Sequence, residues 1–141
     1  MASASDYRVE VVRGRLDPEL SRRLVGFWAG HGALGGRDLL RGGPGDDRLK
    51  GQGGRDRLRG GAGNDKLNGG EGRDRVNGGA GADTLKGGPG KDRIRGGPGN
   101  DKINAVDGKR DRVNCGAGDD RAVVDPIDQV SNNCETVIVK D

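Results

Sequence analysis

The chain has 141 residues, of which 30 are glycine and 33% are charged, with a single Trp, Tyr and Phe. So few aromatics rule out an ordinary globular core and leave collagen, disorder or a repeat architecture, and collagen fails because glycine does not recur at every third position. A net charge of +3, spread by interleaving Arg and Lys with Asp and unaccompanied by stacking aromatics, speaks against nucleic acid binding, and no stretch is long and apolar enough to span a membrane.

Residues 1–32 hold all three aromatics and no repeat. Tyr7, Val9 and Val11 alternate as a short strand would. Asp17-Pro18-Glu19 reads as an N-cap, a first-turn proline and an early acid, and Leu20, Leu24, Phe27 and Trp28 follow on one helical face until Gly30 stops the helix. The segment is expected to be a strand-and-helix cap. Leu24 to Gly30 is too short and too late for a secretory signal, so no signal peptide is visible. His31, the only histidine, lies in a Gly-rich linker and is expected to be solvated.

From Gly42 to Asn104 the chain divides into seven gapless blocks of nine: GGPGDDRLK, GQGGRDRLR, GGAGNDKLN, GGEGRDRVN, GGAGADTLK, GGPGKDRIR and GGPGNDKIN. A weaker block, Ala33 to Arg41, precedes them. Two degenerate ones follow: Ala105 to Asn114, with one residue extra, and another beginning at Cys115. The common pattern is G-G-x-G-x-D-x-U-x, where U is a large aliphatic.

This pattern resembles the hemolysin-type, or RTX, calcium-binding nonapeptide, and the resemblance covers residues 33–121. It implies an all-β, right-handed parallel β-roll (a β-solenoid) in which two nonapeptides make one coil and several Ca²⁺ ions lie between loops. Glycines permit positive φ in a six-residue turn, whose carbonyls supply hard oxygen ligands together with the sixth-position carboxylate. The eighth position points inward from a very short strand, while the seventh and ninth face outward.

The inward row is Leu40, Leu49, Leu58, Leu67, Val76, Leu85, Ile94 and Ile103, continued by Val113. The expected metal ligands are Asp38, Asp47, Asp56, Asp65, Asp74, Asp83, Asp92 and Asp101, continued by Asp111 and Asp120. The competing reading of these acids is turn-forming Asp on solvated loops, but turn chemistry alone does not demand Asp at one fixed position ten times. Bare carboxylates on coils about 4.8 Å apart would repel by roughly 3.5 kcal/mol at an effective dielectric near 20. Metal binding and folding are therefore expected to be one event.

The fifth position alternates. Asp46, Asn64, Ala82 and Asn100 belong to one set of repeats, and Arg37, Arg55, Arg73 and Lys91 to the set offset by nine. The two sets are expected on opposite edges of the roll. Either the cationic edge binds Ca²⁺ more weakly, with Arg partly pairing to Asp, or the fifth side chains merely point to solvent.

Residues 122–141 change to a β-rich pattern around Asp-Pro and Ser-Asn-Asn turns, which predicts a C-terminal β cap in the form of a closing hairpin. Cys115 and Cys134, the only cysteines, flank this element: either they form a disulfide that pins the tail, or they are two separate buried thiols. Secreted proteins resembling RTX modules show a similar C-terminal pairing, which implies an oxidising, extracellular setting. No Ser, Cys or His constellation suits catalysis, so the chain reads as non-enzymatic. The expected function is that of a secreted, monomeric, calcium-binding structural or binding module. The alternatives are an accessory module of a secreted enzyme or toxin, and a surface binder of an extracellular polyanion or cell-surface polysaccharide through Arg and Lys at positions five, seven and nine.

Overall fold

A computed structural model describes residues 10–13, as backbone only, and 37–140. Among these residues there are thirteen strands and no helix. They form two sheets. The first runs β1 (Glu10–Arg13), β2 (Asp38–Arg41), β4 (Arg57–Ala62), β6 (Arg75–Ala80), β8 (Arg93–Arg95), β10 (Arg112–Asn114), β12 (Gln129–Val130). The second contains β3 (Arg48–Lys50), β5 (Lys66–Asn68), β7 (Thr84–Lys86), β9 (Lys102–Asn104), β11 (Arg121–Val124) and β13 (Thr136–Val139).

From β2 onward successive strands alternate between sheets, and each pairs in parallel with its counterpart one coil away. The architecture is a parallel β-solenoid, as the nine-residue frame requires: three residues of strand, six of turn, then the opposite sheet.

The inward row falls in register within each sheet. Leu40, Leu58, Val76, Ile94 and Val113 stack in the first sheet and Leu49, Leu67, Leu85, Ile103 and Ala122 in the second. All are at most 2% exposed, and Ala105, Cys115 and Val124 complete the core. Burial of branched side chains between two sheets supplies the apolar contribution to folding, while the flanking Arg and Lys stay in water.

At the N-terminal end β1 pairs antiparallel with β2, placing Val11 opposite Leu40 and covering that sheet edge. The strand expected around Tyr7–Val11 is thus seen as Glu10–Arg13. The helix expected from Asp17 to Gly30 lies outside the described residues, as does His31.

The C-terminal hairpin expectation is corrected. β12 and β13 do not pair with each other; β12 adds in parallel to β10 and β13 in parallel to β11. The Asp-Pro and Ser-Asn-Asn turns carry the chain across to the opposite sheet, as the Gly-rich loops do in the repeats. Val130 therefore lies opposite Val113, and Val137 opposite Ala122. Cys115 and Cys134 form a disulfide with Cα atoms 5.1 Å apart, which fastens this last coil to the final repeat.

Candidate metal centre

All ten sixth-position aspartates are at most 3% exposed. Because consecutive loops enter opposite sheets, the acids separate into two ranks: Asp38, Asp56, Asp74, Asp92 and Asp111 ahead of first-sheet strands, and Asp47, Asp65, Asp83, Asp101 and Asp120 ahead of second-sheet strands. The carboxylates are linked along each rank. The backbone N–H of Asp65 donates to Oδ1 of Asp83, that of Asp74 to Asp92 and that of Asp92 to Asp111, each at 2.8 Å, and the pattern continues through Asp83 to Asp101 at 2.9 Å and Asp101 to Asp120 at 2.8 Å. These side chains are buried and do not stand on solvated loops.

Two further carboxylates extend the ranks. Asp128 Oδ1 accepts the N–H of Asp111, and Glu135 Oε2 accepts the N–H of Asp120, both at 2.8 Å. The sequence offered a signal for both. Each acid stands immediately before a short alternating stretch, Gln129–Val130 or Thr136–Val139, as each repeat Asp stands before its strand.

The second oxygen of these carboxylates defines the chemistry. Oδ2 of Asp65, Asp74, Asp83, Asp92, Asp101, Asp111 and Asp120 is buried and carries no hydrogen bond. For Asp65, Asp74, Asp83, Asp92 and Asp101 it lies against the first glycine of its own repeat, whereas Ala105 and Cys115 hold that position ahead of Asp111 and Asp120: a Cβ on Gly69 would stand 2.7 Å from Asp74 Oδ2 and 2.7 Å from the Gly87 carbonyl oxygen of the next coil. Glycine at that position lets a carboxylate oxygen and a carbonyl oxygen close in together.

Burial pushes the carboxyls up, backbone N–H donors offset part of the rise, and neighbouring carboxylates add to it. Asp74 and Asp111 reach about 8, Asp83 and Asp92 about 7, and Asp65 and Asp101 about 6. Asp120 and Asp128 are raised for the same leading reason. Ranked buried anions without donors on one oxygen require a counter-charge. An all-oxygen set of carboxylates and backbone carbonyls fits a hard cation such as Ca²⁺.

The two edges differ as the fifth position suggested. On the second-sheet edge the fifth side chain bridges coils: Asp46 Oδ1 accepts the N–H of Asn64 (2.8 Å), Asn64 Oδ1 that of Ala82 (2.9 Å) and Asn100 Oδ1 that of Asp119 (2.8 Å). On the first-sheet edge Arg55, Arg73 and Lys91 are exposed. On that edge Asp74 and Asp92 keep Oδ2 atoms without a hydrogen-bond donor, which favours the solvent-facing reading of Arg73 and Lys91 over the Arg–Asp pairing that was its alternative. Guanidinium groups keep their own hydration by extending outward instead of entering the turn.

Those cations meet a second row. Arg57, Arg75, Arg93 and Arg112 are in register across β4, β6, β8 and β10. Together the two rows line a groove of about 510 Å³ along the first-sheet edge, which Asp56, Asp74 and Asp92 also line.

In comparison with known families, the RTX calcium-binding nonapeptide repeat matches in four copies, over residues 33–67, 50–85, 68–103 and 87–122. No curated protein and no solved structure matches the chain.

Proposed function

The chain belongs to the RTX calcium-binding nonapeptide repeat family, and on that premise we propose that it is a secreted, non-enzymatic module whose β-roll folds when it binds Ca²⁺. The observation that carries this reading is the buried row of Oδ2 atoms without hydrogen-bond donors. Asp38, Asp56, Asp74, Asp92 and Asp111 on one edge, and Asp47, Asp65, Asp83, Asp101 and Asp120 on the other, would hold the ions together with turn carbonyls. Bound Ca²⁺ supplies positive charge between coils, where the chain itself places only acids. The Cys115–Cys134 disulfide supports an oxidising, extracellular location.

The decisive experiment follows bound calcium and far-UV circular dichroism in one titration of the chelator-treated protein. Several ions should bind, in step with the appearance of β signal. The double variant Asp74→Asn, Asp83→Asn should bind fewer ions at saturation. A chain that retains no calcium at millimolar Ca²⁺ would refute the proposal.

A second reading, compatible with the first, is that the folded roll binds an extracellular polyanion such as an acidic polysaccharide. It is favoured by the registered Arg57–Arg75–Arg93–Arg112 row and the parallel row of Arg55, Arg73, Lys91 and Arg110 beside it. Charges repeated about every 4.8 Å along a coil axis suit an extended polymer more than a compact ligand. Heparin affinity measured in saturating Ca²⁺ should fall when Arg57, Arg75 and Arg93 are changed to Gln, and should weaken steeply with salt. Equal loss from Lys66→Gln, Lys102→Gln on the other sheet would argue against this groove.

A further inference from the structure

The loop that breaks the nine-residue frame, 105–111, meets the loop one coil before it through a side chain where ordinary loops use a carbonyl. In ordinary loops of this edge and the other, the N–H of the fourth residue donates to the carbonyl of the third residue one coil on: Gly72 to Pro89 O at 2.9 Å, Gly81 to Pro98 O at 3.1 Å and Gly99 to Ala117 O at 2.9 Å. Gly90 should follow with the carbonyl of Asp107. Instead its N–H donates to the side chain, Asp107 Oδ2, at 2.8 Å. The extra residue shifts the loop backbone, and a carboxylate occupies the place of a neutral carbonyl.

The side chain is held there from both sides. Asp107 Oδ1 accepts the N–H of Lys109 at 2.7 Å, while the N–H groups of Asp107 and Gly108 donate to Asp125 Oδ2 in the last coil, at 2.8 and 2.7 Å. So placed, one carboxylate oxygen from each of Asp92, Asp107 and Asp111 lies within 4.8 Å of the others, the one such group among the described residues. An ion bound at about 2.4 Å can span that spread. A separate observation points to a ligand: Asp92 and Asp111 are 2% and 0% exposed, and each has an Oδ2 with no hydrogen-bond donor.

We propose that Asp92, Asp107 and Asp111 form a calcium site of a different kind from those of the nine-residue loops, with three carboxylates where the repeat provides two between adjacent coils, and that it is the tightest site in the chain. This rests on the calcium reading above. Affinity in all-oxygen sites rises with the number of charged ligands and with the rigidity of the loop that carries them. Asp107 adds the charge, and its bonds to Gly90, Lys109 and the Asp125 carboxylate fix it in place. The site also sits on the edge whose fifth positions are cationic, where the Asp107 carboxylate stands between Lys91 and Arg110 in the chain order of the two loops.

The test uses the full chain, loaded with Ca²⁺ and then equilibrated against a competing chelator while retained calcium is counted by native mass spectrometry. The wild type should retain one ion under conditions that strip the others, a difference of about tenfold or more in affinity. Asp107→Asn should lose that ion and keep the wild-type dichroism spectrum at saturating Ca²⁺. Glu71→Gln, which removes an exposed acid at the same third position of an ordinary loop, should retain it. Equal retention by Asp107→Asn, or equal loss by Glu71→Gln, overturns the site. If Asp107→Asn does not fold, Eu³⁺ excitation spectra of the wild type decide instead: the first equivalent should give a line distinct from later ones, and a single line throughout overturns the proposal. Several equivalent ions refute this inference alone, whereas no bound calcium at all refutes the family-based reading beneath it.

Discussion

Removing calcium at pH 8 should collapse the roll, and the carboxyl groups say by how much. Asp74 and Asp111 are pushed up to about 8, and Asp83 and Asp92 to about 7, chiefly by burial, against an ordinary carboxylate value near 3.9 in an unfolded chain. Raising a carboxyl from near 4 to about 7 corresponds to roughly 4 kcal/mol once the pH exceeds the folded value. Neighbours in one rank raise each other's values, so the costs do not simply add, but they act against a typical domain stability of only roughly 5–15 kcal/mol. The sign follows from linkage. Because the folded values are raised, the metal-free roll gains its full proton-linked stability only below about pH 4, and loses it as pH rises through 6 to 8. In chelator, far-UV dichroism should therefore show no β-roll at pH 8 and a partial return of β signal near pH 4. Calcium binding should also release almost no protons at pH 7 when measured by calorimetry in two buffers of different ionisation heat. The reason is that the unfolded chain and the calcium-loaded roll both carry ionised carboxylates, whereas a preformed roll would have to shed protons held at 7–8. An unchanged β spectrum in chelator at pH 8, or about one proton released per ion, would refute the coupling.

Three substitutions and treatments probe the scaffold in saturating Ca²⁺. Gly69→Ala places a methyl 2.7 Å from both Asp74 Oδ2 and the Gly87 carbonyl oxygen and should cost about 1–3 kcal/mol in urea unfolding, whereas Gly53→Ala, which meets nothing within 4 Å, should change stability by less than about 0.5 kcal/mol. Leu85→Ala empties a side chain that is 1% exposed and should cost about 2–5 kcal/mol by the same measurement. Reducing the Cys115–Cys134 disulfide, whose ends are 19 residues apart, should lower stability by about 3 kcal/mol, with exchange of the β12 and β13 amides accelerating before that of β5 and β7.

The repeat region was legible because each of its physical demands falls on a fixed position. Leu49, Leu67, Leu85 and Ile103 had to share one face, and the eighteen-residue coil left no other sheet order. Asp65 and Asp83 were legible as neighbours for the same reason. The last coil was not, because its turns use Asp-Pro and Ser-Asn-Asn instead of glycine, and its acids fall 17 and 15 residues after Asp111 and Asp120. Local turn chemistry there suggests a hairpin, and only the pairing of Val130 with Val113 and Val137 with Ala122 shows that packing against the exposed end of the core prevails. The role of Asp107 was hidden in a different way. An insertion reads as a flaw in a repeat, and nothing in the one-dimensional frame says that its side chain replaces a carbonyl.

The alternation at the fifth position shows why the functional unit of this fold is eighteen residues and not nine. Glycine at positions one, two and four sets most turns on both edges, because at Gly61, Gly70 and Gly72 a Cβ would strike the adjacent coil, although Gln52 takes position two with a positive φ. The fifth side chain is under no such constraint, since it lies outside the turn. Where it is Asp or Asn, it adds a hydrogen-bonded rung between coils, and Ala82 interrupts that ladder between Asn64 and Asn100 because a methyl group has no acceptor. Where it is Arg or Lys, the rung is absent and a row of charge stands beside Arg57, Arg75, Arg93 and Arg112 instead. One backbone thus carries an edge braced by neutral and acidic side chains and an edge presented to solvent as a cationic strip. Exchanging the fifth residues between edges would leave the glycine frame and the buried carboxylates intact, and would move the strip to the other sheet.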